Sequence, residues 1–151
     1  MIAFISHRGN LKGKDLNLEN SPQQIEKVIK KGYECETDLW LVKNELFLGH
    51  DNPEYKVTID WLHEFKDKLW IHTKNFEALN FLSKSNGDLH YFWHNLDDYT
   101  LTSKNYIWTF PEKYISKNSV IVKLDYEENY LMKNNLFGIC SDYIESYKGE
   151  I

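Results

Sequence analysis

The chain has 151 residues, with 18 basic against 23 acidic side chains and a formal net charge of −5. That length suits one domain with its own core, and 42% hydrophobic and 15% aromatic residues with only three prolines exclude disorder, collagen-like repeats and low-complexity linkers. The acidic balance offers no broad attraction for a phosphate backbone, which needs clustered cations, so no nucleic-acid partner is expected.

No apolar run approaches the roughly 20 residues that cross a bilayer. The start, Met1-Ile2-Ala3-Phe4-Ile5-Ser6-His7-Arg8, lacks the basic opening and long apolar stretch of a secretory signal. The expectation is therefore a cytoplasmic protein with no membrane span. Cys35 and Cys140 stand far apart in no metal-like spacing and read as small, reduced core residues.

In chain order, the apolar run 2–6 reads as a buried strand closed by His7-Arg8-Gly9. After a loop, Ser21 caps and Pro22 opens a helix whose Ile25, Val28 and Ile29 recur at helical spacing until Gly32. Residues 33–42 form a second strand, Lys43-Asn44 a turn, and residues 45–49 a short return strand that delivers His50-Asp51. A helix over 58–66, an apolar strand over 69–74 and a helix over 76–83, stopped by Asn86-Gly87, follow. Strands continue over 89–93, 106–110, 120–124 and 137–140, joined by segments too short and polar for regular crossover helices. The alternation implies parallel strands in one domain, residues 1–151, without repeat or linker.

Several strand ends carry polar chemistry. Residues two apart on a strand share a face, so Glu36 and Asp38 point the same way, and so do His72 and Lys74. Two carboxylates side by side on a buried strand repel unless one takes a proton or a cation such as Mg²⁺ or Ca²⁺ joins them; an exposed acidic pair is the plainer alternative. For His72 and Lys74 the plain alternative is a packed histidine and a surface lysine. His7, Arg8, His50 and Asp51 add two imidazoles, a guanidinium and a carboxylate at the ends where parallel sheets place their sites.

In order, His7-Arg8-Gly9, Glu19-Asn20, Glu36-Thr37-Asp38 and Gly49-His50-Asp51 resemble the signature of the glycerophosphodiester phosphodiesterase family, within the phosphatidylinositol-phospholipase-C-like phosphodiesterases. Ser141-Asp142-Tyr143 is similar to that family's closing strand motif. The resemblance implies a compact, reduced TIM-type (β/α) barrel of the α/β class, with short or missing helices in its second half. It implies His7 and His50 as catalytic general acid and base, with their roles interchangeable at this point, Arg8 and Lys74 as substrate-binding cations, and Glu36, Asp38 and His72 as ligands of a divalent metal, Mg²⁺, Ca²⁺ or Mn²⁺. The expected function is metal-dependent cleavage of a glycerophosphodiester or related headgroup phosphodiester; a noncatalytic binder of a phosphorylated ligand is the alternative.

Two departures from the family stand out. The family's Glu-x-Lys strand corresponds to His72-Thr73-Lys74, an imidazole in place of a carboxylate, which favours Mn²⁺ or Zn²⁺ over Ca²⁺. Barrels of this type usually need about 200 residues or more, so helices must be missing. The span 51–71 is also too short for the inserted cap of many relatives, which leaves the mouth open to larger diesters. Uncovered strand backs are expected under Trp40, Trp61, Trp70 and other aromatics, with a second subunit of a homo-oligomer as one cover. Further expectations are Glu19 holding Arg8 or capping the next helix, His94 and Asn95 joining the site, Asp97-Asp98 in a solvated turn, His63 at the surface, and Trp93 and Trp108 as core or as a stacking platform.

Overall fold

Local chemistry sets the element boundaries of the first half. Strand β1 (Ala3–His7) is followed, after a loop, by helix α1 (Pro22–Lys30). The Ser21 side chain accepts from the Gln24 amide, and Pro22 occupies the first turn, where a missing N–H leaves no bond unmade. Strand β2 (Glu34–Val42) turns back through Lys43 and Asn44, both in the left-handed region, into β3 (Glu45–Leu48) and then β4 (Tyr55–Val57). Helices α2 (Ile59–Glu64) and α3 (Phe76–Ser83) flank β5 (Leu69–Thr73), and Thr58 and Asn75 cap them through the Trp61 and Ala78 amides.

The computed structural model describes residues 1–85 and 87–151. Asn86, expected to help stop α3, lies outside them. The second half has shorter elements: β6 (Tyr91–Phe92), β7 (Tyr99–Leu101), β8 (Ile107–Thr109), β9 (Ser119–Val122), α4 (Tyr130–Lys133), β10 (Gly138–Ser141) and α5 (Ile144–Lys148). Among the described residues no helix is long and apolar enough to cross a membrane.

The parallel strands run in the order β6-β5-β2-β1-β10-β9-β8. Strands β3 and β4 extend antiparallel from the far end of β2, and β7 lies antiparallel on β8. Between β6 and β8 the described residues form no ladder. Ser103 spans this seam, its amide donating to the Tyr91 carbonyl at 2.9 Å and its hydroxyl accepting from the Tyr91 amide at 3.0 Å.

Period-two alternation then separates two cores. The inward cluster joins Ile5, Trp70, Phe92, Trp108, Val120 and Cys140 from six strands. Phe92 stacks on Trp108 with centroids 4.5 Å apart, and Trp70 reaches Trp108 at 5.8 Å across the interior. The outward cluster packs Leu39, Ile71 and Ile139 under Ile25, Val28, Leu82 and Tyr147 of the helices. Each fully buried side chain of this size contributes roughly 1.5–3 kcal/mol, and a filled interior makes the curled sheet a packed barrel and not a pore. The fold is the reduced TIM-type barrel expected, with short or missing helices in its second half.

Four elements, β4, β7, α4 and α5, depart from the sequence expectation because each is at most five residues long and shows no full period of hydrophobicity. The aromatic cover also differs from expectation. Trp70 is 3% exposed and fills the barrel interior. Trp40 donates to the Gly49 carbonyl at 2.7 Å, and Trp61 on α2 donates to Glu26 at 3.0 Å. Ile121, on the outer face of β9, belongs to the same buried cluster as Leu131 and Leu136.

Candidate active site

Parallel strands of a barrel present their C-terminal ends on one side, and here the inward positions at those ends are polar. His7, Arg8, Glu36, His50, His72 and Lys74 line one side of a cavity of about 390 Å³. Asp38 is fully buried and ion-pairs with four of them: Arg8 Nε to Oδ2 at 3.1 Å, His50 Nδ1 to Oδ2 at 3.3 Å, His72 Nδ1 to Oδ1 at 3.1 Å and Lys74 Nζ to Oδ1 at 3.7 Å. The structure thus brings together all seven residues expected from the sequence.

Unusual backbone delivers two of them. Arg8 and Gly9 both take positive φ, 56° and 93°, in the turn that ends β1, and the Arg8 amide donates to the Glu36 carbonyl at 3.0 Å. A side chain held there costs about 1–3 kcal/mol and persists only where surroundings over-determine it. Gly49, at φ 152°, precedes His50, and a Cβ at that position would lie 2.0 Å from the Asn52 carbonyl oxygen, so only glycine fits. Arg8 also reaches Glu19 Oε2 from Nη1 at 3.6 Å and donates from Nη2 to His50 Nε2 at 3.4 Å. Glu19 therefore holds Arg8, and the helix cap is left to Ser21.

His7 is oriented by a carboxylate. Its Nδ1 lies 2.7 Å from Asp142 Oδ1; a carboxylate only accepts, so Nδ1 carries the proton and Nε2 is left for other work. Asn10 Nδ2 donates to both Asp142 Oδ1 at 2.8 Å and Glu19 Oε1 at 2.9 Å. Burial would raise the Asp142 pKa, but the hydrogen bond and charge of His7, then Asn10 and Arg8, outweigh it and hold the carboxyl below its ordinary range. The sequence marks Asp142 only as part of a segment similar to a family motif. Its one local signal is position: it follows the run 137–140 as His7 follows 2–6, and β1 and β10 are neighbours. Asn20, likewise unassigned from sequence, donates to Asp38 Oδ2 at 2.9 Å and accepts from the Asp38 amide.

Two clusters have metal-ligand composition, His7 with Glu19 and Asp142, and Glu36 with Asp38 and His72. In the first, Asn10 and His7 already supply protons to the carboxylates. In the second, Glu36 Oε2 and Asp38 Oδ1 are buried without a hydrogen-bond partner among the described residues. His72 Nε2 donates to the His94 carbonyl at 2.8 Å, so a neutral His72 turns the Nδ1 lone pair toward Asp38 Oδ1 at 3.1 Å and Glu36 Oε1 at 3.8 Å. Acceptor faces acceptor, an arrangement that suits a divalent cation.

The charges agree with that geometry. Burial, reinforced by Asp38, pushes the Glu36 carboxyl well above its usual range although Arg8 and Lys74 pull the other way. Burial would raise Asp38 too, but His50, His72 when its Nδ1 carries a proton in place of a cation, and the Arg8 guanidinium overcome it and hold Asp38 well below. Burial works against the Arg8 charge, yet Glu36, Asp38, Glu19 and Asp142 together raise its pKa.

His94, Asn95, Trp108, Phe110, Val122 and Leu124 complete the cavity lining. His94 Nε2 donates to the Asp97 carbonyl at 2.6 Å, while Asp97 and Asp98 are exposed as expected. Trp108 serves both interior and lining, Trp93 is 41% exposed, and His63 is half-buried on α2.

No protein-family model and no curated protein matches the sequence. Among solved structures, a putative glycerophosphodiester phosphodiesterase from Galdieria sulphuraria matches with a TM-score of 0.60 at 12% identity, over 99% of this chain and 98% of that chain. A glycerophosphodiester phosphodiesterase from Thermotoga maritima matches at 0.57 and 17%, with coverages of 99% and 98%. One from Parabacteroides distasonis matches at 0.57 and 11%, with coverages of 97% and 95%. At these identities the likeness shows a shared barrel fold along nearly the whole chain.

Proposed function

We propose that this chain is a metal-dependent phosphodiesterase, one catalytic domain cleaving a glycerophosphodiester or related headgroup phosphodiester by histidine acid–base chemistry. The observation that carries the reading is the meeting, in one cavity, of an aspartate-held imidazole with a buried two-carboxylate, one-imidazole cluster in which Glu36 Oε2 and Asp38 Oδ1 have no hydrogen-bond partner among the described residues. The proteins of like fold described above are named for this activity.

Phosphodiester cleavage loads charge onto the nonbridging oxygens and the leaving alkoxide, so cations are needed at the first and a proton donor at the second. Arg8 offers a planar fork to the phosphate and Lys74 a point charge. His7 takes on Nε2 the proton of the attacking water or substrate hydroxyl, and Asp142 stabilises the imidazolium that forms. His50, whose side chain is 38% exposed, is the acid: when Arg8 turns from His50 Nε2 to the phosphate, that nitrogen is free to carry the proton given to the leaving oxygen. A divalent cation held by Glu36, Asp38 and His72 would neutralise phosphate oxygen and orient the attacking oxygen, and a set with one imidazole favours Mn²⁺ or Zn²⁺.

Hydrolysis of bis(p-nitrophenyl) phosphate and of glycerophosphodiesters, assayed across Mg²⁺, Ca²⁺, Mn²⁺ and Zn²⁺, tests this reading. Turnover should require a metal, and His7→Ala or His50→Ala should lower kcat by about 10²–10⁴. Turnover indifferent to both substitutions would end the proposal. Binding of glycerol phosphate without turnover for every metal would point instead to a noncatalytic binder.

A further inference from the structure

The cavity has two unlike sides. The cations, carboxylates and catalytic imidazoles come from β1, β2, the hairpin and β5, whereas the facing side is Trp108 and Phe110 at the end of β8 with Val122 and Leu124 at the end of β9. Trp108 is only 4% exposed and anchored on Phe92, so this wall has a rigid base. Phe110 and Leu124 remain 44% and 41% exposed at its lip, and Phe110 lies over His94 with centroids 6.0 Å apart. Apolar side chains held open beside a charged site mark a place where apolar surface leaves water on binding.

We infer that this wall selects a phosphodiester with one uncharged, apolar ester group, an acyl-bearing glycerol of lysophospholipid type, in preference to a bare glycerol or choline diester. The inference rests on the phosphodiesterase reading. The phosphate is drawn to Arg8 and Lys74, which turns the ester group on its far side toward Trp108 and Leu124. A choline cation would call for several open aromatic faces or a carboxylate, but Trp108 is only 4% exposed, Phe110 lies over His94, Val122 and Leu124 are aliphatic, and the lining's one carboxylate, Glu36, sits on the opposite side. The exposed lip lets a chain longer than a cavity of about 390 Å³ emerge into solvent.

The test compares kcat/KM of the full chain, with its best metal, for glycerophosphocholine and for 1-hexanoyl-glycerophosphocholine below its micellar concentration. The acyl diester should be favoured by at least about tenfold. In Phe110→Ser with Leu124→Ser that preference should fall about tenfold, mainly through KM; Leu124→Ala alone, a milder change, should lower it in the same direction. Equal rates for the two diesters, or a preference untouched by both variants, would overturn the inference while leaving the activity standing. If neither diester turns over, the activity reading fails, and calorimetry decides the wall separately: tighter binding of hexanoyl glycerol phosphate than of glycerol phosphate, lost in the variants, supports it, and equal binding overturns it.

Discussion

The two sides of the barrel solve the same packing problem differently. On the side of β1, β2 and β5, helices α1 and α3, capped by Ser21 and Asn75, cover the strands, β2 runs for nine residues, and the inward strand ends are His7, Asp38 and His72. On the side of β6, β8 and β9 the strands are two to four residues long, and the inward positions are Phe92, Trp108 and Val120. Histidines report the difference. His7 and His72 face carboxylates, whereas His90 is 5% exposed, lies 4.0 Å from the Trp70 ring centroid and bonds to the Thr102 hydroxyl at 2.7 Å. Burial, with Lys104 nearby, lowers its pKa to about 3. Aromatic side chains fill the helix-poor side, and charge gathers on the side whose groups can neutralise one another.

The largest effect expected of this division is catalytic. Asp142→Asn keeps the shape but removes the charge that steadies His7, and kcat should fall about a thousandfold, near 4 kcal/mol of barrier. The acid limb of the kcat/KM profile should also move to lower pH, a change that a purely structural role for Asp142 would not produce. An unaltered rate and profile would separate this carboxylate from the chemistry.

In the aromatic interior, where Trp70 of β5 meets Trp108 of β8, the effect should fall on stability. Trp70→Ala removes a buried side chain that meets His90, Tyr106 and Trp108, and urea denaturation should show a loss of about 3–5 kcal/mol. A loss below about 1 kcal/mol would mean that the interior collapses around the vacancy and that the outward core carries the fold.

Acid should sharpen the contrast with a smaller change. Because His90 titrates at about 3 in the folded chain and near its ordinary 6.5 when unfolded, the unfolded state binds more protons between those values, and folding stability falls with falling pH there. From pH 7 to pH 5 this group alone should cost about 2 kcal/mol. His90→Gln should flatten that part of the stability profile, and an identical slope in the variant would show that other groups set it.

Much of the site was legible because its members are local. Glu36-Thr37-Asp38 and His72-Thr73-Lys74 share faces by the two-residue period of a strand, and His7 and Arg8 follow directly on an apolar run. Asp142 was harder to read, being 135 residues from His7 and meeting it only through the parallel register of β1 on β10. Trp70 stands two residues before His72 and so shares its face, but only the curling of the sheet shows that this face is a filled interior.

By itself the sequence determined the first three helices, the succession of the main strands along the chain and the two-residue spacing of the acidic pair, since each follows from backbone geometry within a few residues. Only the tertiary structure decided that the sheet curls until Phe92 meets Trp108, that His94 offers its carbonyl to His72 and so turns Nδ1 toward the carboxylates, and that an apolar wall faces the charged one. Those outcomes depend on the register and closure of strands distant in the chain, which side-chain periodicity along one strand does not encode.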